Sequence, residues 1–269
     1  MTRLFIAAAL VLCGRTAAAG IRTVSDVVLS SPGPKNCRME TYLDGNFFRY
    51  DNKCDGAMSS MIFTLSPDLI HQVDHQRKTY STMSLKDYEQ MIGQMGASMK
   101  AMQAQMKASL SKLPPAQREA MMKMMAGQMP AQVKRTVKKT GRAEKVGSFS
   151  CLVEEEWQGK TKVGETCVGD WKQFGINIEK YKAIGDRWKR LGDKMKESAG
   201  SLGEYVGETD MKRGYLVRHR SYNNGKVDSE MILREIKETS VDPSLGKVPA
   251  GYKKEENPMA KIGAKKKGG

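Results

Sequence analysis

The first part of the chain alternates short β-rich runs with turn residues. Cys37–Leu43 and Asn46–Lys53 flank a two-residue turn at Gly45-Asn46, and Met58–Leu65, Leu69–His75 and Lys78–Met83 follow, separated by Ser-Pro-Asp or by charged turns. Together they predict an antiparallel meander. At Ser84 the period changes from two to that of a helix. Tyr88, Ile92, Met95, Met99, Met102 and Met106 are separated by 4, 3, 4, 3 and 4 residues, which puts all six on one helical stripe. Ser84 and Asp87 supply an N-cap and an acidic first turn, so the spacing predicts a helix over Leu85–Leu110. Pro114-Pro115 breaks it, and a second helix, Ala116–Gln128, stops before Pro130.

Strands are expected again at Val133–Lys139 and Ala143–Val146, then as a hairpin of Ser148–Trp157 with Thr161–Val168. Gly175–Ala199 reads as an amphipathic helix, because Tyr181, Ile184, Trp188, Leu191 and Met195 repeat at 3, 4, 3 and 4. Gly185 and Gly192 weaken it by about 1 kcal/mol each, so it needs a sheet to pack on. Asn224-Gly225 is a type I′ turn signal that pairs Tyr222 with Val227, Val217 with Ile232 and Tyr215 with Arg234. The expected fold class is α+β: an antiparallel sheet with an inserted Met-rich helical hairpin and a second amphipathic helix. Residues 20–34 read as a polar leader with one apolar patch, Val27-Val28-Leu29. Residues 35–255 read as a single domain with its insert at 85–130, and residues 256–269 as a basic disordered tail.

The N-terminus changes the compartment expected. Arg3, the apolar Leu4–Leu12 and an A-x-A site at Ala17–Ala19 have the form of a secretory signal peptide over residues 1–19. Its apolar core of nine residues is far below the roughly 20 that a membrane span needs. The expected location is therefore outside the cytoplasm, in the periplasm. Cys13 leaves with the signal, and Cys37, Cys54, Cys151 and Cys167 remain as two disulfides. Strand registry decides between the three connectivities. The Gly45-Asn46 turn sets Cys37 opposite Cys54, and a turn centred on Gly159 sets Cys151 opposite Cys167. Removing Arg3 and Arg15 leaves 43 Lys and Arg against 30 Asp and Glu. Export argues against a nucleic-acid partner, and the basic residues are spread along the chain. They read as a solvated surface, with an anionic membrane surface as the alternative partner.

Several stretches carry a family resemblance. Leu69-Ile70, Val73-Asp74-His75 and Lys78–Met83, then Thr140-Gly141, Cys151, Cys167-Val168 and the closing Val248-Pro249-Ala250-Gly251-Tyr252, resemble an uncharacterised family of exported bacterial domains of unknown function. Such domains are similar in fold to the outer-membrane lipoprotein carrier (LolA-like) superfamily. The resemblance covers residues 35 to 255 and implies a strongly curved antiparallel sheet, a half-barrel, wrapped around helices and open to an apolar ligand. The Met-rich hairpin departs from the carrier proteins proper, so lipoprotein transport does not carry over.

No catalytic constellation is expected, and neither is a cofactor. The chain has three histidines, His71, His75 and His219, and no nucleophile elbow, metalloprotease His pair or phosphate loop. His71 and His75 share strand parity, but four strand residues set them about 13 Å apart, too far for joint metal coordination. The methionines admit three readings. A helical Met stripe packs against a core, because the side chain fills irregular space. It can also form a deformable contact for an acyl chain or apolar partner, for which Met95, Met99, Met102, Met106, Met121 and Met125 are the candidates. The third reading is soft-metal binding, Cu(I) on Met91, Met95 and Met99. The expected function is non-enzymatic: an exported protein binding an apolar small molecule, a lipid or an envelope protein on the concave face of the sheet. The alternatives are a periplasmic copper-binding protein and a structural partner-binding module.

Overall fold

Twelve strands form one sheet in the computed structural model, which describes residues 19–30, 33, 35–111, 113–115, 117, 135–199 and 213–256. In chain order these are β1 (Ala19–Leu29), β2 (Lys35–Leu43), β3 (Phe47–Cys54), β4 (Ala57–Leu65), β5 (Asp68–Asp74), β6 (Thr79–Ser84), β7 (Arg135–Val146), β8 (Phe149–Gln158), β9 (Thr161–Gly169), β10 (Tyr215–Asn223), β11 (Lys226–Ser240) and β12 (Lys253–Lys254). Helix α1 (Leu85–Ser111) follows β6, and α2 (Lys182–Ala199) lies between β9 and β10. The spatial order is β12-β6-β5-β4-β3-β2-β1-β11-β10-β9-β8-β7. Two meanders thus run outward from the central β1–β11 pair, giving a large curved sheet that does not close. All neighbours are antiparallel except β12, which lies parallel to β6. The α+β class with an antiparallel sheet agrees with the pattern of the sequence.

Cross-strand registry explains the core. Opposed residues share a face, so Ile21, Leu43, Phe48, Phe63, Ile70 and Met83 form one apolar row from β1 to β6. Trp171, Ile176, Tyr181 and Ile184, from two short 3-10 turns, the link between them and the start of α2, cover the β1–β2 end of that row. Leu85 and Tyr88 of α1 pack at its other end, against Phe63 and Ile70. A second cluster, Cys151, Val153, Cys167, Val217 and Leu233, continues the core under β8–β11. Burying each large apolar side chain stabilises the fold by about 1.5–3 kcal/mol.

Residues 20–34 are not a leader. Their first part is β1, a central strand on which both meanders are built. Thr23 and Ser25 are buried there beside Val24, because strands on both sides satisfy the backbone and helices cover one face. The polar side chains hid this strand from the hydrophobic pattern. Tyr215 Oη donates to Thr23 Oγ1 at 2.9 Å, which accounts for one of those buried hydroxyls.

Both disulfides form as paired in the sequence, Cys37–Cys54 and Cys151–Cys167. They fit an oxidising environment outside the cytoplasm. Cys37 lies directly opposite Cys54. Cys151, however, does not face Cys167: a register shift between Glu156 and Trp157 sets Val153 there, and the bridge runs diagonally. The last hairpin shifts likewise. Tyr222 pairs with Val227, but a bulge between Ser221 and Tyr222 moves Ile232 opposite Arg218 rather than Val217. Nothing in a hairpin's turn residues announces such a bulge.

Helix α1 matches its predicted span to within one residue. The helix expected from Gly175 begins at Lys182, because Gly175 and the Asn177 cap belong to the 3-10 turns before it. The expected second helix of the Met-rich hairpin apart from residue 117, the signal peptide up to residue 18 and the basic tail beyond residue 256 lie outside the described residues; Ala19, expected as the last signal residue, is the first of β1.

Candidate functional site

The Met-rich helix is held at one end only. Asp87 N–H donates to Ser84 Oγ at 3.0 Å, and Ser84 Oγ donates back to the Asp87 carboxylate at 2.6 Å, which fixes the first turn. Leu85 and Tyr88 then dock on the apolar row of the sheet, and Ile92 is buried at 7% exposure. The helix is about 40 Å long at 1.5 Å per residue, and its next packing partner is α2. Arg187 of α2 is ion-paired with Asp68 of β5, and Lys180, just before α2, reaches Glu238 at 2.8 Å. These ties anchor the base of the helical pair to two distant parts of the sheet.

Farther along α1 the described positions open to solvent. Met102 is 57% exposed, Met106 is half-buried, and Ala97, Ser98, Ala101, Ala104 and Gln105 are exposed. Met91, nearer the base, is half-buried. Met95 and Met99 lie on α1, but their side chains are outside the described residues, as are Met121 and Met125 entirely. Among the described residues, no group of three or more His, Cys, Asp or Glu is placed to hold a metal. No described helix is long and apolar enough to cross a membrane.

Two partly open crevices lie on the helical face of the sheet. The apolar crevice between Phe48, Phe63, Leu85 and Ile184 has a volume of about 20 Å³, room for a water molecule and no more. The larger one, about 330 Å³, lies farther down the same face, beyond α1, over Tyr50, Met61 and Gln72.

The opposite face carries a polar network that sequence reasoning missed. Arg49 Nε donates to Asp51 at 2.7 Å, and its Nη2 donates to Ser60 Oγ at 3.1 Å. Ser60 Oγ lies 2.6 Å from Nε2 of His75, whose Nδ1 lies 2.9 Å from Tyr252 Oη. Burial, with help from the Arg49 charge, holds the His75 pKa below its ordinary value. The segment after β11 crosses over this Ser–His pair. Arg49 donates to the Leu245 carbonyl of that segment, Gly246 sits on the Phe47 ring, and β12 pairs its two residues with Thr79 and Tyr80. The shared parity of His71 and His75 was visible in the sequence. Their separate partners were not: Thr82 for His71, and Ser60 with Tyr252 for His75.

A second buried network lies across β7–β11. Glu165, 4% exposed, meets Lys162 at 2.6 Å, Arg218 at 2.7 Å and Arg142 at 3.0 Å. Burial alone would raise this carboxyl, but the three cations outweigh it and hold its pKa below the ordinary range. His219, close by, is buried beside Arg135 and Glu156; burial first and the Arg135 charge second push its pKa down to about 4. These charges face one another across β7–β11.

No family model matches the chain, and no curated protein sequence matches it. Among solved structures, an uncharacterised conserved protein from Thermus thermophilus aligns at 7% identity with a TM-score of 0.44, over 90% of this chain and 92% of that one. PNGF-II aligns at 9% identity with a TM-score of 0.36, over 91% of this chain and 33% of its own length. At these scores neither likeness carries an argument about fold or function.

Proposed function

We propose that this is an exported, periplasmic, non-enzymatic binding protein of the LolA-like half-barrel type, which takes an apolar ligand through the distal part of α1. The ligand class is an acyl chain, or an apolar or lipidated segment of an envelope protein. The observation that supports this most is Met102: a large thioether more than half exposed on a helix whose base is firmly packed. Exposed methionine offers an apolar surface that re-packs around varied shapes. The crevice beneath α1 is too small for an acyl chain, so the ligand belongs against the outer stripe of Met102 and Met106, or enters by lifting α1 off the sheet.

The test is direct. Organic extraction of protein purified from the envelope, followed by mass spectrometry, is expected to release a lipid, and a fluorescent fatty acid is expected to bind. A protein free of lipid that also fails to bind the probe overturns this reading. The runner-up is Cu(I) binding by Met91, Met95 and Met99, which lie on one stripe of α1.

A further inference from the structure

The 330 Å³ groove has a lining unlike that of an acyl-chain site. Registry aligns Thr41, Tyr50, Met61, Gln72 and Ser81 in one row across β2–β6, one step away from the apolar row under the helices. Ser59 and Thr79 stand in the next row beside it. The side chains of Tyr50, Ser59, Gln72 and Ser81 make no hydrogen bond among the described residues. Burial raises the Tyr50 phenol above its ordinary pKa. A groove within the size range of small-molecule sites therefore presents hydroxyls and an amide, each able both to donate and to accept, around the ring of Tyr50 and the thioether of Met61.

Charge narrows the ligand class. Arg77 is the one cation among the described lining residues, and it is held by Asp74 at 2.8 Å and by Glu255 at 3.8 Å. An anionic ligand would have to break that ion pair and face the carboxylates of Asp74, Glu255 and Glu256. We infer that the groove over Tyr50, Met61 and Gln72 binds a neutral polyhydroxylated ligand, a saccharide of one or two rings. Its hydroxyls match the unpaired Ser59, Gln72, Ser81 and Tyr50 groups, and its C–H face lies on the Tyr50 ring and Met61. This site lies apart from Met102 and does not depend on lipid binding there.

Saturation-transfer difference NMR tests the inference on the full protein, with glucose, N-acetylglucosamine and maltose as neutral probes and glucuronate as the acidic control. Transfer to at least one neutral probe is expected, with affinity falling about tenfold in Gln72→Leu and in Tyr50→Phe, since each removes one hydrogen-bonding group at near-constant shape. Far-UV circular dichroism and thermal midpoints within a few degrees of the parent show that the variants fold. The half-exposed Gln72 position keeps the test open if Tyr50→Phe unfolds. No transfer to any neutral probe, equal or stronger transfer to glucuronate, or unchanged affinity in folded Gln72→Leu overturns the assignment.

Discussion

Nδ1 of His75 lies 2.9 Å from the hydroxyl of Tyr252, a residue 177 positions later in the chain. The contact closes a path from Arg49 through Ser60 and His75 to the C-terminal segment, which then supplies β12 to the outer side of β6. A strand at the end of a sheet exposes unpaired backbone groups that invite aggregation. Here β12 covers one end of the sheet with two lysines, and the His75–Tyr252 bond pins the segment that delivers them.

Tyr252→Phe is therefore expected to lower stability by about 1 kcal/mol, the typical net worth of one hydrogen bond. The loss should be local. Amide protection is expected to fall at Lys253, Glu255 and Tyr80 while β1 and β11 keep theirs. Because the His75 pKa is lowered in the folded state, from an ordinary 6.5, this clamp is fully present above that value and weakens as pH falls below it. Hydrogen-exchange protection factors measured at pH 7.5 and pH 5.5 check both statements. Uniform loss across the sheet would show that the segment is not a separate clamp.

His219 makes the larger pH prediction. Its pKa falls from 6.5 to about 4 through burial and the Arg135 charge. The unfolded state therefore binds a proton between those values that the folded state refuses, so stability is full above pH 6.5 and falls down to about pH 4. At pH 5 the loss is on the order of 2 kcal/mol. His219→Gln removes the titration. Urea unfolding at pH 7 and pH 5 is expected to show a smaller acid loss in the variant than in the parent. Parallel losses in both proteins would assign the acid sensitivity to the carboxylates.

The sheet was readable where turns and alternation agree. Asn224-Gly225 and Gly45-Asn46 announce their hairpins, Ser84 with Asp87 announces α1, and the first disulfide follows from hairpin registry. Four features left no such trace. β1 carries Arg22, Thr23, Ser25 and Asp26, whose polarity looks like a leader; at the sheet centre Thr23 bonds Tyr215, Arg22 pairs with Glu40 and Glu235, and Asp26 pairs with Arg234. The bulges at Glu156/Trp157 and Ser221/Tyr222 change register without any residue type that demands them. β12 is two lysines paired through backbone alone, and the groove gathers single polar residues from four neighbouring strands. Such sites arise from long-range pairing, whereas the Met stripe is local and so was plain from the start.

Gly20 lies at the start of β1, and a methyl group there would come within 2.5 Å of Val241 Cγ2 and 2.7 Å of the Leu43 carbonyl oxygen. The carbonyl belongs to backbone and cannot step aside. Gly20→Ala is expected to lower stability by about 1–3 kcal/mol, as overpacking does. Gly45→Ala is the matched control, because nothing lies within 4 Å of its added carbon. Urea midpoints separate the two; equal effects would mean that the β1–β2 junction yields more easily than its contacts imply.

Met102 tests the apolar reading of α1. At 57% exposure it contributes little burial, so Met102→Lys and Met102→Leu should both leave stability within about 0.5 kcal/mol of the parent. Their effects on binding differ. Lysine places a solvated charge in an apolar contact, and fatty-acid affinity is expected to fall about tenfold or more. Leucine keeps an apolar side chain of similar volume, and fatty-acid affinity is expected to stay within about threefold. If copper is what α1 binds, loss of Cu(I) affinity is expected from Met91→Leu, Met95→Leu and Met99→Leu, and neither change at Met102 should affect it. Fluorescent fatty-acid titration of the three proteins, run beside Cu(I) competition, distinguishes these outcomes, and retention of fatty-acid binding in Met102→Lys would remove the distal stripe of α1 from the binding surface.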